Sequence, residues 1–154
     1  MPELQLTKLL HLPNLEVVKY ETPDVETAIL EIKSTWEVAI CPECKTPSAS
    51  VQDYEDSRWV RDLSLSGRKS YLRYQSRRFA WEGCQRSFPE SVEWLNFDSS
   101  YTQRFEEHVY QLCRKNTLQE VSAFLELGYE AVEGIFPRWA KKRRRRAQRK
   151  SFAS

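Results

Sequence analysis

No apolar run in the chain approaches the roughly 18 residues that a membrane-spanning helix needs. Its start, MPELQLTKLLHLPNLEVV, lacks both the basic opening and the long apolar middle of a secretion signal. These two absences point to a cytoplasmic protein with no membrane partner. Histidine is scarce, limited to His11 and His108, and cysteine stops at Cys41, Cys44, Cys84 and Cys113. In a reducing compartment such thiols serve as metal ligands or small packing groups before they serve as disulfides. Acidic side chains are missing altogether from residues 138–154, where nine Lys and Arg stand together.

What is present is enough to fold. Hydrophobic residues make up 40% of the 154, with five Trp, seven Tyr and seven Phe, which excludes wholesale disorder and suits one domain or two small ones. The net charge of +2 conceals a sharp asymmetry, because outside 138–154 only 15 basic residues face all 22 acids. Within that acidic body residues 58–86 reverse sign again: Arg58, Arg61, Arg68, Lys69, Arg73, Arg77, Arg78 and Arg86 face only Asp62 and Glu82. Two basic blocks in an acidic chain predict localised surfaces for a polyanion, with solvated charge as the plain alternative.

The first half of the chain has strand periodicity. LEVVKYE (15–21) and TAILEIK (27–33) flank a turn-like TPDV, and Ala28, Leu30 and Ile32 would share one strand face. RWVRDLSLS and SYLRYQSRRFA flank GRK, a hairpin loop in which Gly67 supplies the difficult backbone angle. Trp59, Tyr71 and Tyr74 are interleaved with the cations there, and two roles stand open for them: packing within strands, or stacking on nucleic-acid bases. WEVAI leads straight into CPEC, whose Cys41 and Cys44 have the spacing by which one tight turn supplies two ligands to a structural zinc.

After residue 98 the period changes to about 3.6. Phe105, Val109 and Leu112 mark one helix face, with Thr102 as its N-cap. Thr117 and Glu120 form a capping box ahead of Leu118, Val121 and Leu125, and Val132, Ile135 and Phe136 mark a third helix that Pro137 is expected to close. Three helices with short turns match a helix-turn-helix as well as other small bundles. The expected third helix begins YEAVEG, so Glu130 and Glu133 weaken it as a groove reader and leave Tyr129 as its polar contact.

CPEC, then VRDLSLSG, SRRF and CQRSFPE in that order, followed by the helical segments, resembles the amino-terminal region of bacterial insertion-sequence transposases of the ISL-three family. The resemblance runs from about residue 12 to 146, and it implies a zinc-finger-like module, a helix-turn-helix, and binding to transposon-end or related double-stranded DNA. Three departures matter. The family's second C-x-x-C reads Trp81-Glu82-Gly83-Cys84 here. Its Leu-Gly-Leu-Ser turn reads Leu125-Glu126-Leu127-Gly128, and the chain stops at Ser154, where the family's catalytic domain would begin.

The expected fold is therefore α+β. A β-rich zinc-ribbon-like module occupies 1–98, a three-helix helix-turn-helix 99–137, and a basic tail or linker 138–154. The expected DNA contacts are Arg58, Arg61, Arg68, Lys69, Arg73, Arg77, Arg78, Tyr129, Arg138, Lys141, Lys142, Arg143, Arg144, Arg145 and Arg146. Zinc would rest on Cys41, Cys44 and Cys84, one ligand short of a closed shell. Either solvent or Glu82 completes that shell, or Trp81 fills the vacated space with apolar contacts. Without the catalytic domain the chain is expected to bind DNA and not to catalyse. The rival expectation is a self-association or protein-interaction module, including an accessory to a full-length or split transposase.

Overall fold

The computed structural model describes every residue except Met1, Glu82, Cys84, Gln85, Phe97 and Ser154, and the side chains of Trp81, Ser151, Phe152 and Ala153 are likewise left aside. The chain forms two compact units, Met1–Thr102 and Gln103–Ser154.

The first unit opens with helix α1 (Pro2–Leu10), which the sequence reading did not anticipate. Pro2 suits a first helical turn because its missing N–H would have no partner there. The Thr7 hydroxyl accepts from the Val17 N–H at 2.9 Å and pins this helix to strand β1 (Leu15–Asp24). β1 pairs antiparallel with β2 (Thr27–Ser34). The turn between them is tied by Asp24, whose carboxylate accepts from the Glu26 N–H at 2.7 Å.

Next along the chain come the short strands β3 (Ala39–Ile40), β4 (Pro47–Ser48) and β5 (Val51–Tyr54). The hairpin β6 (Arg58–Leu65) and β7 (Arg68–Tyr74) then joins the first two strands in a sheet of order β1-β2-β7-β6, with β2 and β7 parallel. Its turn has Ser66 at φ 52 and Gly67 at φ 79, two left-handed residues between the paired Leu65 and Arg68. That geometry matches strand twist and is cheap only where glycine takes one of the positions.

Ala28, Leu30 and Ile32 are all buried, as their alternation predicts. Leu30 and Ile32 join Leu72, Val60, Tyr74 and Trp94 in the main core. Tyr74 meets Trp94 edge-on at 5.2 Å. Strands β8 (Arg77–Trp81) and β9 (Arg86–Pro89) pair with β5 in a separate sheet, order β5-β8-β9.

The second unit holds α2 (Gln103–Cys113), α3 (Leu118–Leu125) and α4 (Tyr129–Ala153). With α1 this makes four helices among the described residues. Phe105, Val109, Val121, Leu125, Val132 and Ile135 form its buried stripes, close to the faces that periodicity marks. Leu112, Leu118 and Phe136 are only partly buried, and Phe136 stacks on Tyr110 at 5.4 Å.

Two expectations need correction here. Pro137 does not close the last helix, and residues 138–153 are not a tail separate from it but the continuation of α4. Trp139 supplies the reason: it is buried, and its indole N–H donates to the Glu106 carboxylate at 2.9 Å, holding the chain against α2 beyond the proline. The carbonyl that Pro137 leaves without a helical donor belongs to Glu133, on the exposed face where water can serve it.

Candidate nucleic-acid interface

The corner between α3 and α4 is set by local chemistry. Thr117 accepts from the Glu120 N–H at 3.1 Å while Glu120 accepts from the Thr117 N–H at 3.1 Å, so the capping box forms. α3 ends at Glu126 with φ 54 and ψ 48, a left-handed conformation in which a side chain is disfavoured. Gly128 then stands before α4, its carbonyl accepting from Ala131 N–H at 3.1 Å, but it has no side chain with which to cap the helix. Glycine and the capping position are thus exchanged relative to the expected Leu-Gly-Leu-Ser. Replacing Glu126→Gly should stabilise the second unit by about 1 kcal/mol. A circular-dichroism melt would register this as a higher midpoint, and an unchanged midpoint would mean that the strain is offset elsewhere.

Along α4 the charge changes sign. Tyr129, Glu130 and Glu133 are exposed in its first turns. The cations follow, and they divide into two groups. Arg138 reaches the buried Glu106 at 2.7 Å, Lys142 lies 4.5 Å over the Trp139 ring, and Arg143 pairs with Glu107 at 2.5 Å and faces the Tyr110 ring. Lys141, Arg144, Arg145 and Arg146 are exposed. Sequence reasoning missed Glu106 as a functional anchor. A fully buried carboxylate on an otherwise apolar helix stripe has no local signature.

The basic block in the first unit is also divided. Arg77 forks onto the buried Glu90 (Nη2 to Oε2 2.8 Å) and also donates to the Trp36 carbonyl at 2.6 Å, bracing β8 against the end of β2. That hydrogen-bonded carboxylate raises the Arg77 pKa, and burial, then the same carboxylate, raise that of Tyr74, which donates to Glu90 at 3.0 Å. Arg78 pairs with Glu55 at 2.6 Å, and Arg58 donates to the Ser99 carbonyl. Arg61 is buried, which lowers its pKa against the opposing pull of Tyr71 and Tyr101. Arg68, Lys69 and Arg73, all on β7, are half-exposed. Arg73 lies 4.4 Å over the Trp59 ring.

The cysteine region is built from the β3–β4 hairpin and the β8–β9 hairpin. Between β3 and β4 the Cys41 N–H donates to the Thr46 carbonyl at 3.0 Å, and the Cys41 carbonyl accepts from Lys45 at 2.9 Å. With Lys45 at φ 60 this makes a knuckle carrying a buried Cys41 and an exposed Cys44. Cys84 and Glu82 fall outside the described residues, as does the Trp81 side chain. Among the described residues no third His, Cys, Asp or Glu joins Cys41 and Cys44, so they fit half of a tetrahedral zinc shell and no more.

Protein contacts hold the two hairpins together. Phe79 and Phe88 stack at 6.2 Å and enclose Cys41 and Ala39 in a small apolar core. Ala80 N–H donates to the Ser50 carbonyl at 2.9 Å, and Arg86 pairs with Glu43 inside the knuckle.

Comparison with known proteins matches both regions in sequence order. Residues 37–84 match the zinc-finger of transposase IS204/IS1001/IS1096/IS1165, and residues 90–140 match the helix-turn-helix domain of transposase family ISL3. The two matches lie in the order zinc-finger, helix-turn-helix, so the chain carries a region similar to those two domains of ISL3-family insertion-sequence transposases. Among individual proteins it is similar to the transposase for insertion sequence element IS1001 of Bordetella parapertussis, 28% identical over 121 residues. That alignment takes in 79% of this chain but only 30% of the relative, so the chain spans less than a third of that protein's length. No solved structure matches it. The helix-turn-helix match stops at residue 140, before the exposed cations of α4.

Proposed function

We propose that the chain binds duplex DNA in the manner of the recognition half of an ISL3-type transposase, at transposon-end or related sequences, without catalysis of its own and in the cytoplasm. One observation carries this reading: a single helix, α4, leaves the helix-turn-helix corner and continues into eight cations from Lys141 to Lys150. Glu130 and Glu133 repel phosphate at the start of that helix, so its contact with DNA shifts towards the carboxy-terminal half. There Lys141, Arg144, Arg145 and Arg146 meet phosphates, while Arg138, Lys142 and Arg143 hold the helix in place. Tyr129 offers base-edge contact.

Fluorescence anisotropy with a labelled duplex tests the reading. Binding whose affinity falls steeply with added salt is expected, and binding indifferent to salt would overturn it. Truncating the whole of 138–154 is a poor control, because it removes Trp139 and Arg138 from the fold as well as the charge.

Zinc belongs to the same proposal only through Cys41, Cys44 and Cys84. Metal bound there would tie the two hairpins together and add to folding free energy. Elemental analysis of purified protein should find less than one zinc per chain, lost entirely in Cys84→Ser. The folded ribbon should persist in both, held by Phe79, Phe88 and the Glu43–Arg86 pair. A full equivalent of tightly held zinc would show that a fourth ligand completes the shell.

A further inference from the structure

The four-stranded sheet has two unlike faces. On the inner one Val60 and Asp62 of β6 and Ser70, Leu72 and Tyr74 of β7 are all buried. The intervening residues Trp59, Arg61, Lys69, Tyr71 and Arg73 necessarily point the other way, since strand side chains alternate. Register sets Trp59 opposite Arg73, an aromatic ring beside a guanidinium group, and the buried Arg61 opposite Tyr71. The Trp59 and Tyr71 rings meet edge-on, centroids 6.4 Å apart, and the Arg73 guanidinium lies 4.4 Å over Trp59.

Trp59 is nevertheless 49% exposed, whereas Tyr74, next to the same cations in sequence, is 2% exposed and belongs to the core. The interleaved aromatics thus divide into one packing residue and two on an outer, charged face.

We propose that this outer face of the β6–β7 hairpin binds single-stranded DNA, with an unpaired base stacking against Trp59 and Arg73 and the flanking phosphates lying on Lys69 and Arg73. Rings and guanidinium planes attract the π-faces of bases, and cations attract the backbone, so their juxtaposition suits a ligand that offers both groups in turn. A duplex does not offer them, because its base faces are hidden by stacking. The charge of the sheet sets the path of the strand. Next to β7, strand β2 places Glu31 beside Arg73, with Lys19 of β1 beyond it, so the accessible cations Lys69 and Arg73 lie along β7 and not across the sheet.

The inference stands apart from the α4 contact, and the experiment separates them. Anisotropy titrations of the full chain would use labelled oligothymidylate, labelled oligouridylate and a labelled duplex, with Trp59→Ala and Trp59→Phe beside the native protein. The expected result is a loss of about tenfold for oligothymidylate in Trp59→Ala, near-native binding in Trp59→Phe, and duplex affinity unchanged in both. Unchanged single-strand affinity in Trp59→Ala would overturn the proposal. So would a parallel fall for strand and duplex, or tighter binding of the RNA by the native chain. Loss of duplex binding alone, in an α4 variant, would bear on the helix and leave this face untouched.

Discussion

Duplex affinity should fall roughly a hundredfold near physiological salt when Lys141, Arg144, Arg145 and Arg146 are together replaced by glutamine. The same change should flatten the slope of log affinity against log salt by about 3.6, if each cation displaces one counterion from B-form DNA. These four are chosen because they are exposed on α4, whereas Arg138, Lys142 and Arg143 touch Glu106, Trp139 and Glu107 and belong to the packing of the unit. Glutamine keeps the helix propensity and an unbranched polar side chain while removing charge. It also removes like-charge repulsion between helical neighbours such as Lys141 and Arg145, so a melt should show no loss of stability. An unchanged salt slope would mean that phosphate contact lies elsewhere, and the α4 assignment would be withdrawn.

The second large effect is on stability. Glu106→Ala should cost the helical unit about 3 kcal/mol, since it strips the acceptor from a buried indole N–H and the partner from Arg138. For so small a unit that is a large share of any folding free energy, and its cooperative melt should broaden or vanish. Glu106→Gln separates the causes. Arg138 and Trp139 both bond the same oxygen, Oε1, and the amide retains an acceptor for them while losing the charge, so the cost should be nearer 1 kcal/mol. Chemical denaturation followed by helix circular dichroism measures both, and equal losses in the two variants would assign the whole effect to charge.

Much of the architecture was legible where the signal is local. The Thr117–Glu120 box, the Ala28–Leu30–Ile32 alternation and the Gly67 turn each depend on residues within a few positions of one another, and each forms. The parallel pairing of β2 with β7, which brings Ile29 beside Tyr71 across some forty residues of intervening chain, has no such signature.

Charge was the least legible property. Arg77 and Arg78 read as part of a basic surface, yet their acidic partners Glu90 and Glu55 lie 13 and 23 residues away, and only the fold brings them together. Conversely, Pro137 reads as a stop because its local cost is plain, while the Trp139–Glu106 bond that outweighs it spans 33 residues. In the ribbon, the altered second cysteine pair was visible at once. The stacked Phe79 and Phe88, register partners across β8 and β9, were not singled out, although with Cys41 and Ala39 they form that core.

The unbroken course of α4 through Pro137 gives the basic segment a phase. On a flexible tail every cation samples every direction, and only their number matters. On a helix each residue is turned about 100° from the last, so each cation has a fixed azimuth measured from the bonded Trp139. Lys141, Arg144 and Arg145 fall on the side opposite Trp139, whereas Lys142, Arg143 and Arg146 share the Trp139 side, where Arg143 meets Glu107 of α2. Three of the cations are therefore aimed away from α2, in a direction fixed by a tryptophan buried two residues past the proline.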